Sequence, residues 1–178
     1  MSQVPQAWVG EELRRLHDAL ATLADPDWDR PSLCDGWTLR HVVAHLTMAS
    51  RYSPEAFGQE LAADGFDFGA MSDRLAERDS ARSPQELLDD LVTDALAQHT
   101  TPQGGVIGAL SHVVIHGLDA TVPAGLGPTA SDESEAAVLD NLTNGGVHAH
   151  FGTSLDDLDL EGLPAHLQIL HLTGRKLP

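Results

Sequence analysis

Ten histidines punctuate the chain, and their spacing is its most chemically suggestive feature. Two pairs stand four residues apart, His41 with His45 and His112 with His116. On a helix that spacing puts both rings on one face, within reach of a single ion. Ten histidines scattered at random would give roughly half such a pair, so two pairs are suggestive. His112 and His116 enclose Val113-Val114-Ile115, the most apolar stretch of the sequence. A buried imidazole needs partners for both ring nitrogens. A shared divalent cation would satisfy one nitrogen of each ring; the alternative is two core histidines bonded to backbone or to a carboxylate. His45 lies in Val42-Val43-Ala44-His45-Leu46, also on an apolar face. His41, beside Arg40 and near a helix start, reads as a surface or supporting residue. A bundle can bring one ligand from one helix together with two from another. Three neutral imidazoles with an open fourth position form a known catalytic zinc arrangement.

Other candidates rank lower. Asp119 stands three residues after His116, on nearly the same helical face, where it serves either the site or the helix end. Arg40 is a candidate for holding an anionic substrate group. Cys34 reads as a packing residue, and Trp8, Trp28 and Trp37 as core or boundary residues. His148-Ala149-His150 follows Gly145-Gly146 and reads as the exposed end of a helix, while His166 and His171 do not share a helical face. Gly104-Gly105 is too sparse for a phosphate loop.

The elements that must carry these residues are mostly helical. An apolar stripe of Trp8, Leu13, Leu16, Leu20 and Leu23 predicts a first helix over about Gln6 to Leu23, stopped by Asp25-Pro26-Asp27. Thr38 is a good N-cap for a second helix reaching about Ser53, where Pro54 marks a break or a new first turn. One or two short helices around Asp64-Gly65 are expected between Glu55 and Ala81. Ser83-Pro84-Gln85-Glu86 carries a cap, a first-turn proline and a capping-box glutamate, for a helix to about Gln98. The histidine pair rides a helix from about Val106 to Asp119, apolar on nearly every face and therefore central. Further helices are expected over Ser131 to Asn144 and Leu163 to Leu172, with a short strand near Leu155 to Leu160. The architecture is a mainly all-α, four-helix bundle with short additions, in one domain over residues 1–178.

Bulk composition narrows the function classes. The chain has 27 acidic and 10 basic residues, a formal net charge of −17, and Lys176 as its lone lysine. Such a surface repels phosphate backbones and anionic membranes, so nucleic acid and membrane surfaces are not expected partners. The one cysteine excludes an internal disulfide. Met1 to Gly10 lacks the pattern of a signal peptide, and no apolar run approaches the roughly 20 residues that cross a bilayer. A cytoplasmic protein is expected.

Pro31-Ser32-Leu33-Cys34-Asp35-Gly36, followed by Trp37-Thr38-Leu39-Arg40-His41-Val42-Val43-Ala44-His45-Leu46, resembles the N-terminal signature of the DinB-like superfamily. The closer resemblance is to its mycothiol-dependent maleylpyruvate isomerase branch. His116-Gly117-Leu118-Asp119 is similar to that branch's second signature, and Leu170 to Arg175 resembles the ending of many of its small members. The resemblance spans most of the chain, although Tyr52 to Thr101 carries nothing distinctive. It implies a four-helix bundle around a divalent metal, often zinc or nickel, with His45, His112 and His116 as ligands. It also implies that Asp119 helps to bind the thiol; DinB-like bundles often pair into homodimers, and the sequence leaves the oligomeric state open. One position departs from the isomerase pattern: His112 stands where that branch usually has glutamate, giving the three-histidine set of other DinB-like proteins. A site without a carboxylate leaves more positive charge on the metal, which favours a bound thiolate or hydroxide. The chain is also expected to lack the sizeable C-terminal domain of the full isomerase, so maleylpyruvate is not implied as its substrate.

The leading expectation is a metal-dependent thiol transferase. A small thiol, mycothiol or a relative, would attack an electrophilic second substrate, with the protein supplying metal, pocket and orientation. The alternatives are a hydrolase using metal-activated water, with Asp119 or His41 as base, and a non-catalytic stress-linked bundle. A fourth protein ligand on the metal would favour the last of these.

Overall fold

The structure, a computed structural model, describes residues 4–176. Met1 to Gln3, part of the stretch read above for a leader, and residues 177–178 lie outside the described residues. Helix α1 (Ala7–Leu20) buries Val9, Leu13, Leu16 and Leu20 along one stripe, and a 3-10 turn (Asp25–Asp29) seats Trp28 in the core. Extended Thr38 opens α2 (Leu39–Leu46).

The long helix expected from Thr38 to Ser53 is instead α2 followed by α3 (Met48–Arg51). The break falls at Thr47, whose hydroxyl donates back to the Val43 carbonyl at 2.7 Å. Such back-bonding competes with the helical ladder. Ser53 and Asp67 then cap α4 (Pro54–Ala63) and α5 (Phe68–Asp79). The Ser83–Glu86 capping box forms as expected, but its helix, α6 (Pro84–Leu91), stops short of Gln98. Thr93 caps a separate turn, α7 (Asp94–Ala97), by accepting from the Leu96 amide. The histidine pair lies on α8 (Gly105–Thr121), and α9 (Asp132–Thr143) and α10 (Ala165–Leu172) follow. The strand expected at Leu155 to Leu160 does not form. Leu155–Asp157 is a single 3-10 turn with Leu155 40% exposed, and an isolated strand has no ladder to join in a helical protein.

Helix α8 is central, packing against α1, α2, α9 and α10, while α2 also packs on α5 and α6. Its buried residues include Ala109, Leu110, Val113, Val114, Ile115 and Leu118, so it is covered on several sides. Each fully buried leucine contributes roughly 1.5–3 kcal/mol, and the core is built largely from leucine and valine. A second cluster, Met48, Met71 and Leu75 with Tyr52, Phe57 and Leu61 against it, lies under α4 and α5. That layer is clasped by Arg51, which reaches Asp79 on α5 at 3.1 Å and Asp90 on α6 at 3.0 Å. No helix among the described residues is long and apolar enough to cross a membrane.

Candidate metal centre

His45 sits in the last turn of α2, and His112 and His116 sit one turn apart on α8. Because α2 packs directly on α8, the three rings meet. Their centroids form a triangle with all three sides 4.8 Å, and the ring planes cross at 73°, 76° and 86°. One ligand nitrogen from each lies within 4.8 Å of the others, and His45 Nε2 and His112 Nε2 are 2.8 Å apart.

The surroundings fix which nitrogens face inward. His116 Nδ1 donates to Asp119 Oδ2 at 2.9 Å, which leaves His116 Nε2 as the free lone pair. Ser72 of α5, 5% exposed, holds His45 Nδ1 through its hydroxyl at 2.8 Å and so leaves Nε2 for the centre. Two tetrahedral nitrogen ligands at about 2.05 Å from zinc would stand about 3.3 Å apart, so the His45–His112 pair would open by about half an ångström. The donor set therefore fits a divalent cation held by three neutral imidazoles, and no fourth side chain joins the group among the described residues. Burial, and then the neighbouring histidines, hold His45 and His112 well below the usual imidazole range. Both stay neutral, the state a ligand needs.

Asp119 is fully buried behind this triangle. Arg175, after α10, clamps it with two bonds, Nε to Oδ1 at 2.9 Å and Nη2 to Oδ2 at 2.8 Å. The Cys34 thiol donates to Asp119 Oδ2 at 3.1 Å, and the Leu33 amide donates to the Asp119 carbonyl. Burial alone would raise the carboxyl, but the bonds from His116 and Arg175 outweigh it and hold Asp119 well below the usual carboxylate range. Burial, and then the Asp119 charge, push the Cys34 thiol up to about 12. Cys34, His116 and Asp119 are close enough to form a second ligand group, but a protonated thiol and a guanidinium already fill that space.

The structure thus brings together His45, His112, His116 and Asp119, with Asp119 placed behind His116. Arg40 points elsewhere: its guanidinium donates to Asp29 at 2.7 Å and to the Arg82 carbonyl at 3.0 Å. His41 accepts from the Thr38 amide at 3.2 Å and so donates through Nε2 to Glu77 at 2.8 Å, committing both nitrogens outside the triangle. His148 donates to the Leu142 carbonyl from a 3-10 turn that also carries His150. Sequence reasoning missed Ser72 and Arg175. Ser72 lay in the featureless stretch between Tyr52 and Thr101, whereas Arg175 stood within a noted C-terminal motif without an assigned task.

An all-helical bundle that converges three histidines from two helices defines a histidine-centred helical domain. The family model for the mycothiol maleylpyruvate isomerase N-terminal domain matches residues 9–103, more than half of the chain. The chain belongs to that family, a branch of the DinB-like superfamily. The matched stretch contains Cys34, Trp37, His45 and Ser72 and ends before α8. Neither the curated proteins nor the solved structures contain a match to this chain.

Proposed function

We propose that this protein is a metal-dependent thiol transferase, holding zinc or nickel with His45, His112 and His116 and taking mycothiol or a similar small thiol. The observation that carries the reading is the three-imidazole triangle, with no fourth protein ligand among the described residues and the third ring locked by Asp119 and Arg175. A divalent ion there supplies a Lewis-acid corner at which a thiol ionises at neutral pH. Family membership supports a thiol of the mycothiol kind.

The protein's own residues orient and insulate. Ser72 and Asp119 each hold one ligand ring by its outer nitrogen, which fixes where the inner nitrogens point. Arg175 neutralises Asp119, so the buried carboxylate supports His116 without adding net charge. In the transfer the thiol loses its proton to solvent and its sulfur forms a bond to an electrophilic carbon. The displaced electron pair leaves with a leaving group or takes up a proton, so no oxidant is needed. Hydrolysis would need a base, and both candidates, Asp119 and His41, have their bonding groups committed.

The test is metal analysis of purified protein beside His45→Ala and His116→Ala, followed by mycothiol titration. About one metal per chain in the native protein, loss in both variants and metal-dependent thiol binding are expected. Full metal retention in both variants overturns the ligand set, and metal binding without thiol binding overturns the transferase reading.

A further inference from the structure

Three of the four phenylalanines, Phe57, Phe66 and Phe68, fall within the α4–α5 hairpin. None of the three belongs to the main core, and two are openly exposed, Phe66 at 75% and Phe68 at 52%. Phe66 also has φ 65°, the only non-glycine residue in the left-handed region among the described residues. A bulky side chain there is strained where glycine would not be.

Phe68 adjoins the histidine centre, and Phe57 adjoins Phe68. Phe68 stands edge-on to His45 with centroids 6.5 Å apart and lies 6.4 Å from Phe57, while Trp37 lies 5.1 Å from His45. Exposed aromatic surface beside a polar centre marks a candidate ligand-binding face. The charges nearby narrow the ligand. Trp37 donates through Nε1 to Asp73 at 3.1 Å, and Glu77 takes the proton-bearing nitrogen of His41. Both guanidinium groups considered for the site, Arg40 and Arg175, are already paired with carboxylates. An anionic substrate at the Trp37 ring would meet Asp73, with neither arginine free to receive it.

We propose that Phe68, with Phe57 and Trp37, forms the binding wall for the second substrate of the transfer, and that this substrate is an uncharged electrophile with a flat, apolar body. This rests on the transferase reading above. The ring contacts supply binding through stacked and edge-on aromatic packing, and Asp73 beside Trp37 selects against carboxylated acceptors.

The kinetic test uses the full chain loaded with zinc, saturating mycothiol, and 1-chloro-2,4-dinitrobenzene as acceptor. The sulfur–carbon bond forms, the carbon–chlorine bond breaks, chloride leaves with its electron pair and the thiol proton enters the buffer. Phe68→Ala should raise the KM for the acceptor by about 2- to 12-fold with a smaller change in kcat. Phe68→Leu should recover part of that loss, and Val92→Ala, an exposed apolar change on another helix end, should have no effect. A binding test needs neither metal nor thiol: equilibrium dialysis of unreactive 2,4-dinitrotoluene against 2,4-dinitrobenzoate. The neutral probe should bind more tightly, and Phe68→Ala should weaken it by the same factor. Transfer with an unchanged KM in Phe68→Ala, or dinitrobenzoate binding as tightly as dinitrotoluene, overturns the wall. Dialysis as expected with no transfer overturns the transferase reading and leaves the wall as a ligand site.

Discussion

Replacing Asp119 by asparagine removes one charge and almost no volume, from a residue with no solvent exposure. The carboxylate receives four bonds, two from Arg175 at 2.9 and 2.8 Å, one from His116 at 2.9 Å and one from Cys34 at 3.1 Å. An amide offers one acceptor oxygen and turns an NH2 group toward a guanidinium or a thiol. Arg175, only 12% exposed, is then left as an unpaired cation. Breaking such a pair costs about 3–5 kcal/mol, a large share of the roughly 5–15 kcal/mol that holds a domain of this size. The second effect would fall on a metal held as proposed: loss of a partner behind a ligating histidine lowers affinity by about 10- to 100-fold, or about 1.4–2.7 kcal/mol. Urea denaturation in chelator reads the first quantity, and competition with a chromophoric zinc chelator reads the second. The double variant Asp119→Asn with Arg175→Met should recover part of the lost stability, because the stranded cation is gone. Metal-free stability of Asp119→Asn within about 1 kcal/mol of native, together with unchanged zinc affinity, would refute the reasoning.

Three further outcomes follow from the core and the buried groups. Leu110→Ala, at a fully buried position on α8, should cost about 2–5 kcal/mol in urea denaturation. His45 and His112 are held neutral, with folded-state values below the usual 6.5, so the unfolded chain binds more protons as pH falls. Metal-free stability should therefore be highest above about pH 6.5 and fall below it, by at most about 2.7 kcal/mol per pH unit for two groups, and a flat profile between pH 7 and 5 would contradict this. With its thiol raised to about 12, Cys34 should react with iodoacetamide at pH 8 roughly a thousandfold more slowly than a free cysteine, as followed by mass spectrometry.

Helix α8 with its histidine pair was legible because two independent patterns agree on it. Its apolar residues cover nearly every face, and its histidines repeat at four. Capping chemistry gave the start of α6 for the same reason, since Ser83, Pro84 and Glu86 act within one turn. Breaks at Thr47 and Val92 were not legible: periodicity runs through both, and the winning terms are a back-bonding hydroxyl and a competing cap at Thr93. Ser72 could not be assigned to the site because a lone serine carries no spacing signal, and only the packing of α5 on α2 brings it to His45. Arg175 and Asp119 are likewise joined only by the docking of the segment after α10. Leu158 to Leu160 alternates only over three residues, and a strand also needs an edge to pair with.

The clamp on Asp119 has a consequence for how the molecule comes together. Cys34 and Arg175 meet across 141 positions of sequence, so the contact ties two distant segments of the chain together behind His116. Without that guanidinium the carboxylate behind His116 would lack its counter-charge. The aim of the third ring thus depends on a segment that follows the last helix, far in sequence from the histidines themselves.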